Sequence, residues 1–272
     1  FFDEPFARLQ RSTPQIIQSI YDDGDLAERI RDYHVTIKGT LQSGERYHSL
    51  NPETYWWAHA TFVYRVIYAQ DLFGTPFTKA ERDQLVREGV TWWDKYGMSE
   101  RPVIDNYDDL VAYMDDMVEN VLERNETVDF ALRTARVEPV KAPDGVPPRL
   151  WKIIWKPIMR STIWLTIGTL PEKYRRILDL EWTSRDQKRF DRIAKAIRKV
   201  FTLLPEDKRF MEPGRSLMIK NGMIEGKYKE PKTIQAYQPK NEAAEASDTA
   251  KPNAEGDSND AVAARRAAGC PF

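Results

Sequence analysis

Along most of the chain apolar residues recur at spacings of three and four, the period of a helix with one buried face, and strict alternation of the strand kind is scarce. The pattern falls into segments bounded by helix-starting and helix-stopping residues. Leu26 to Lys38 predicts a helix closed by Gly39. Asn51 suits an N-cap, Pro52 gives up an amide that the first turn would not use, and Glu53 lies at the positive end of the helix dipole. That helix is expected to run to about Leu72, before Gly74. Thr78 and Glu81 have capping-box spacing, opening a helix that Gly97 ends. Further helices are expected from Asn106 to Glu123, Thr127 to Arg136, Arg149 to Gly168, Pro171 to Leu178 and Thr183 to Leu203. Together these predict an all-α fold, a single multi-helix globular domain.

Composition changes along the chain. Lys141-Ala-Pro-Asp-Gly-Val-Pro-Pro148 is a Pro/Gly-rich connection between two helical halves, too short to prove two domains. From about Lys220 large apolar residues become few, and beyond Pro239 the sequence is of low complexity. The expected division is a helical domain over residues 1–219, an extended basic segment over 220–239, and a tail over 240–272 that is disordered or ordered by a partner. No internal repeat is visible. The chain begins with Phe1, has no signal-peptide pattern, and reads as cut from something longer.

With 41 basic and 42 acidic residues, no overall field would draw the protein to nucleic acid or to an anionic membrane. The single cysteine, Cys270, cannot form an internal disulfide or a Cys-based zinc site. The strongest apolar run, Ser161 to Pro171, falls well short of the roughly 20 residues that span a bilayer. Around its start, Trp151, Trp155 and Trp164 are mixed with Arg149, Lys152, Lys156 and Arg160. Such a segment could lie on a membrane surface, although a core helix with snorkelling basic residues is the preferred reading. A cytoplasmic or peripheral-membrane location is expected; oligomeric state is not readable.

The 3 histidines, His34, His48 and His59, fall within one short stretch. Trp56, His59, Val63, Val66 and Gln70 share a helical stripe, which turns His59 inward. Ile30, His34, Ile37 and Leu41 make a similar stripe, which turns His34 inward too. His48 belongs to a loop. Two inward histidines could ligate one metal, or one could ligate while the other orients substrate or water. A histidine on a buried helix face is more often a hydrogen-bonded core residue than a ligand. Trp56, Trp57, Trp92 and Trp93 read first as core or interface packing. Asp105 to Asp109 and Asp115-Asp116 lack the Gly and the terminal Glu of a calcium loop. No glycine-rich phosphate cradle, Gly-x-Ser-x-Gly elbow, His-Glu-x-x-His helix, Cys-x-x-Cys pair or Glu-x-x-His repeat occurs. A redox centre in such a chain would suit one His-ligated haem better than a multi-ligand non-haem site.

Several blocks then carry a resemblance: Arg8-Leu-Gln-Arg-Ser12, Arg31-Asp-Tyr-His34-Val-Thr-Ile-Lys-Gly39, Tyr47-His-Ser-Leu-Asn-Pro52, Trp57-Ala-His59-Ala-Thr61, Leu170-Pro-Glu-Lys-Tyr-Arg175 and Leu204-Pro-Glu-Asp-Lys-Arg209. Their order and spacing resemble the catalytic domain of the MpaB/rubber oxygenase family, which includes the latex-clearing proteins. The resemblance implies an all-α fold with a b-type haem between core helices. It also implies oxidative attack by dioxygen on an apolar, isoprenoid-like double bond. His34 best matches the proximal iron ligand; His59 and Trp56 are further candidates for contact with the cofactor. Arg8, Arg11 and Ser12 match a distal cluster, with Arg11 where the rubber enzymes carry lysine and Ser12 where they carry threonine. Arginine does not readily lose its proton, so Arg11 cannot become a neutral ligand as lysine can. The arginines also read as a solvated helix face. The rival function is a non-catalytic helical binding or scaffold protein that keeps the fold without the cofactor; a hydrolase or transferase lacks a recognisable nucleophile and base.

Overall fold

The computed structural model describes residues 5–21, 24–41, 44–126, 128–129, 142–143 and 145–230. The fold is helical, as the periodicity predicts. In chain order α1 is Pro5–Tyr21, α2 Leu26–Asp32, β1 Lys38–Thr40, β2 Arg46–His48, α3 Pro52–Phe73, α4 Lys79–Asp94 and α5 Tyr107–Asp116, which continues through a π turn, Met117–Val121. Then follow α6 Pro148–Gly168, α7 Glu172–Ile177, α8 Ser184–Leu203, a 3₁₀ turn Glu206–Lys208 and α9 Gly214–Lys220. The expected helix from Thr127 to Arg136, apart from residues 128–129, and the expected tail lie outside the described residues.

The starts of the long helices follow the sequence signals. Asn51 accepts from the Glu53 amide, and Pro52 opens α3. Thr78 and Glu81 close a full capping box at α4, and Thr183 with Asp186 does the same at α8. The α3 helix lies at the centre, packed against α4, α5 and α8, while α1 packs on α2 and α9 and α6 on α8. The main core is built from Leu26, Ala27 and Ile30 of α2, the inner face of α3, and Val86, Trp92 and Trp93 of α4. Tyr96, Leu110 and Met114 complete it. Gly89 lets α3 and α4 close up: a β-carbon there would sit 2.6 Å from Val63 Cγ2.

The helix predicted from Leu26 is shorter than its apolar spacing suggests. It stops at Asp32, and the β-branched run Val35-Thr36-Ile37 leads into an antiparallel hairpin, with Lys38 opposite His48 and Thr40 opposite Arg46. Leu41, placed on the inner stripe by sequence, is 48% exposed. His48 sits in β2, with Nε2 bonded to the Val35 carbonyl at 3.0 Å. On α3 the inner seam is Tyr55/Trp56, His59/Ala60 and Ile67; Val66, assigned to it by sequence, is 60% exposed. The offset is one residue, because the seam advances by fours. The sequence reading assigns no helix to residues 5–21, where Pro14 interrupts an α1 that nevertheless forms, nor to α9.

Candidate functional site

His34 lies in the turn after α2 and is buried. Its Nδ1 lies 2.7 Å from the Ile30 carbonyl. A carbonyl only accepts, so Nδ1 carries a proton and donates. The turn is tied on both sides. The His34 amide donates to Arg31, and the His34 carbonyl accepts from the Ile37 amide at 3.0 Å and from the buried Ser49 hydroxyl at 2.7 Å. The ring stands edge-on to Tyr55, with centroids 5.6 Å apart. Tyr55 continues into Trp93 at 5.8 Å and Tyr96 at 5.3 Å, an unbroken run of rings from the turn to the core.

His59, one helical turn beyond Tyr55, has the opposite tautomer. Its Nε2 donates to the Gly89 carbonyl at 2.9 Å, which the missing side chain of Gly89 brings within reach. The Nδ1 atom has no hydrogen-bond partner among the described residues, and neither have Nε1 of Trp56 and Trp93. Rings surround it: Trp92 at 4.6 Å, Trp93 at 5.4 Å, Trp56 at 5.5 Å and Tyr96 at 5.8 Å. Burial pushes the His59 pKa down to about 4, against a smaller upward effect of the bond to Gly89. Burial also raises the Tyr96 hydroxyl far above its usual range.

Ser12 and Ser19 are two turns apart on α1 and share a face. Ser19 is buried and accepts from Trp92 Nε1 at 3.1 Å, so the C-terminal end of this face enters the core beside the His59 rings. Arg11 and Ser12 lie at its exposed end. Arg8 belongs to the α1 backbone, and its side chain lies outside the described residues. A polar crevice of about 520 Å³ opens elsewhere, between α7 and the start of α8, where Arg175, Arg176, Asp179 and Trp182 line it. It reaches none of the histidines and forms no part of this site.

Residues 1–199 match the family model described as ER-bound oxygenase mpaB/B'/Rubber oxygenase, catalytic domain. The chain belongs to this family. No curated protein and no solved structure matches it. Membership in the MpaB/rubber oxygenase family makes it an oxygenase domain, with a small-molecule substrate and oxygen as the reactants of that class. The family match covers α1 to α7 and most of α8, and so includes both buried histidines.

Among the described residues no group of three or more His, Cys, Asp or Glu side chains converges. A haem needs only one protein nitrogen, and the donor chemistry at His34 fits that need. A backbone carbonyl holds one ring nitrogen, fixing the tautomer and the ring direction, as second-shell carbonyls do for metal-binding imidazoles. Sequence reasoning did not single out Tyr55, Ser49, Ser19 or Gly89. Ser49 lay inside a quoted block, but nothing local marks its hydroxyl as the partner of a carbonyl 15 residues earlier.

Proposed function

We propose that the chain is a haem-dependent oxygenase that oxidises or cleaves an apolar, unsaturated, isoprenoid-like substrate with dioxygen, and that His34 would hold the haem iron. What supports the assignment is the family match, which includes His34, together with the anchoring of its ring: Nδ1 donates to the Ile30 carbonyl of its own turn, whereas His59 packs among four rings with Nε2 on Gly89. Haem iron bound through His34 would supply the activation of dioxygen. The protein's own contribution is positional and electrostatic. Ile30 and Ser49 hold the turn, Tyr55 fixes the imidazole plane, and Trp56 and His59 belong to the apolar wall behind it, which keeps water from the cofactor side. Arg8, Arg11 and Ser12 are proposed as the distal group at the open end of α1. Arg11 stays protonated, so it would act by charge and by donating hydrogen bonds, not as a base.

Absorption spectroscopy of the full chain, expressed with haem supply and read by the Soret band and the pyridine haemochrome, tests this. Wild type should hold one b-type haem. His34→Ala should lose it while far-ultraviolet circular dichroism stays unchanged. Loss of the band in His59→Ala with retention in His34→Ala would exchange the two roles. No haem in the wild type would support the non-catalytic binding protein instead. In the haem-loaded chain, Arg11→Ala should slow turnover of a verified substrate about a hundredfold, the size seen when one well-placed transition-state donor is removed, while haem binding is unchanged.

A further inference from the structure

The helix α6 is packed by only part of its surface. Trp151, Trp155 and Met159, spaced by fours, form its inner stripe and join a small satellite cluster with Ala142, Val146 and Ile154. Arg149, Lys152, Lys156 and Arg160 recur at three and four on another stripe, and all four are exposed. Beside them runs an exposed apolar stripe in the same period: Leu150, 48% exposed, Ile153, 75% exposed, and Pro157. Ile158 is also exposed. No Asp or Glu occurs from Pro148 to Gly168, and among the described residues none of the four basic side chains forms an ion pair. Lys156 lies over the Trp155 ring at 5.6 Å. In a chain with a formal net charge of −1 this is a local concentration of positive charge.

We infer that the outer face of α6 docks on an anionic lipid bilayer, with Leu150, Ile153 and Pro157 entering the headgroup boundary and Arg149, Lys152, Lys156 and Arg160 meeting lipid phosphates. Charge complementarity selects this occupant. A large exposed isoleucine is unfavourable in water, and a cationic row alongside an apolar one is the arrangement by which helices lie in a membrane interface. No helix among the described residues is long and apolar enough to cross a membrane, so the contact is with one surface. Pro157 cannot donate to the Ile153 carbonyl, which leaves that acceptor on the same outer side for water or headgroups. The docking stands apart from the haem assignment, because no residue of α6 belongs to the His34 site.

The test is cosedimentation of the full chain with phosphatidylcholine vesicles, with and without phosphatidylserine, at rising salt. Binding is expected only with phosphatidylserine and should weaken as salt screens the charges. Ile153→Asp, and separately Lys152→Glu with Lys156→Glu, should each reduce it about tenfold or more, with circular dichroism unchanged, since these side chains are exposed. Amide exchange should show new protection in residues 149–161 on vesicles. The inference is overturned by absence of binding, by equal binding to neutral vesicles, or by variants that bind as the wild type does. Retention of the chain by soluble polyglutamate but not by vesicles would equally overturn it, in favour of an acidic protein partner. Haem content measured on the same samples separates this outcome from failure of the oxygenase reading.

Discussion

The two buried histidines are held by opposite means. His59 is fixed by its surroundings: four aromatic rings pack around it, and a carbonyl on the next helix accepts a hydrogen bond from its ring. His34 is fixed by backbone: its own turn binds the ring through Ile30, and the hairpin that follows returns Ser49 to the His34 carbonyl. The first arrangement makes the imidazole part of the core, and its loss is a loss of stability. The second anchors the ring and its backbone through a tight local network, which fixes the ring direction independently of the core packing.

His59→Ala should show the largest effect, a destabilisation of about 3–5 kcal/mol in denaturant unfolding, from a cavity among the rings and the lost bond to Gly89. His34→Ala should cost about 1–2 kcal/mol while abolishing haem retention. Equal costs would erase the distinction between the two sites.

Next in size is pH dependence. The folded state keeps His59 neutral down to about pH 4, whereas the unfolded chain protonates near 6.5. The unfolded state therefore binds more protons between these values, and stability rises with pH across them. The His59 contribution, roughly 3 kcal/mol, is complete above about pH 6.5 and lost as pH falls toward 4. His59→Phe should flatten this window, and His34→Ala should leave the His59 part of it in place.

Gly89→Ala should destabilise by about 1–3 kcal/mol, since Val63 must move or the two helices must part, drawing the carbonyl away from His59. Thermal unfolding together with the imidazole proton shift of His59 would register both effects. A smaller change, about 1 kcal/mol, is expected for Thr78→Ala, which removes the capping box of α4 without touching either histidine. Truncation after Pro239 should have the smallest effect. The residues beyond have few large apolar side chains to offset an ordering entropy of about 1–2 kcal/mol each, so melting temperature and any haem spectrum should be unchanged.

The parts of the fold legible in sequence are those decided within one or two turns. The capping box at Thr78, the helix start at Thr183, the Asn51-Pro52 start and the stop at Gly97 are local hydrogen-bonding and steric requirements, and each is where the sequence places it. The inward turn of His34 and His59 was also legible, because burial follows apolar spacing. The details failed where a contact far along the chain decides. The helix through Lys38 loses to a hairpin whose second strand is supplied by Arg46–His48. Val66 yields to Ile67 because the inner seam follows the neighbouring helices, not the average period.

By itself the sequence determined an all-α chain, its family and a short list of candidate nitrogen ligands, since these depend on residue types and near-neighbour spacing. Only the tertiary structure decided which nitrogen of His59 carries the proton. That choice rests on a Gly89 carbonyl 30 residues away that comes within reach because a side chain is missing there, whereas His34 bonds the Ile30 carbonyl of its own turn. A tautomer is set by the nearest acceptor in space, and distance in space between separate helices is what residue order does not contain.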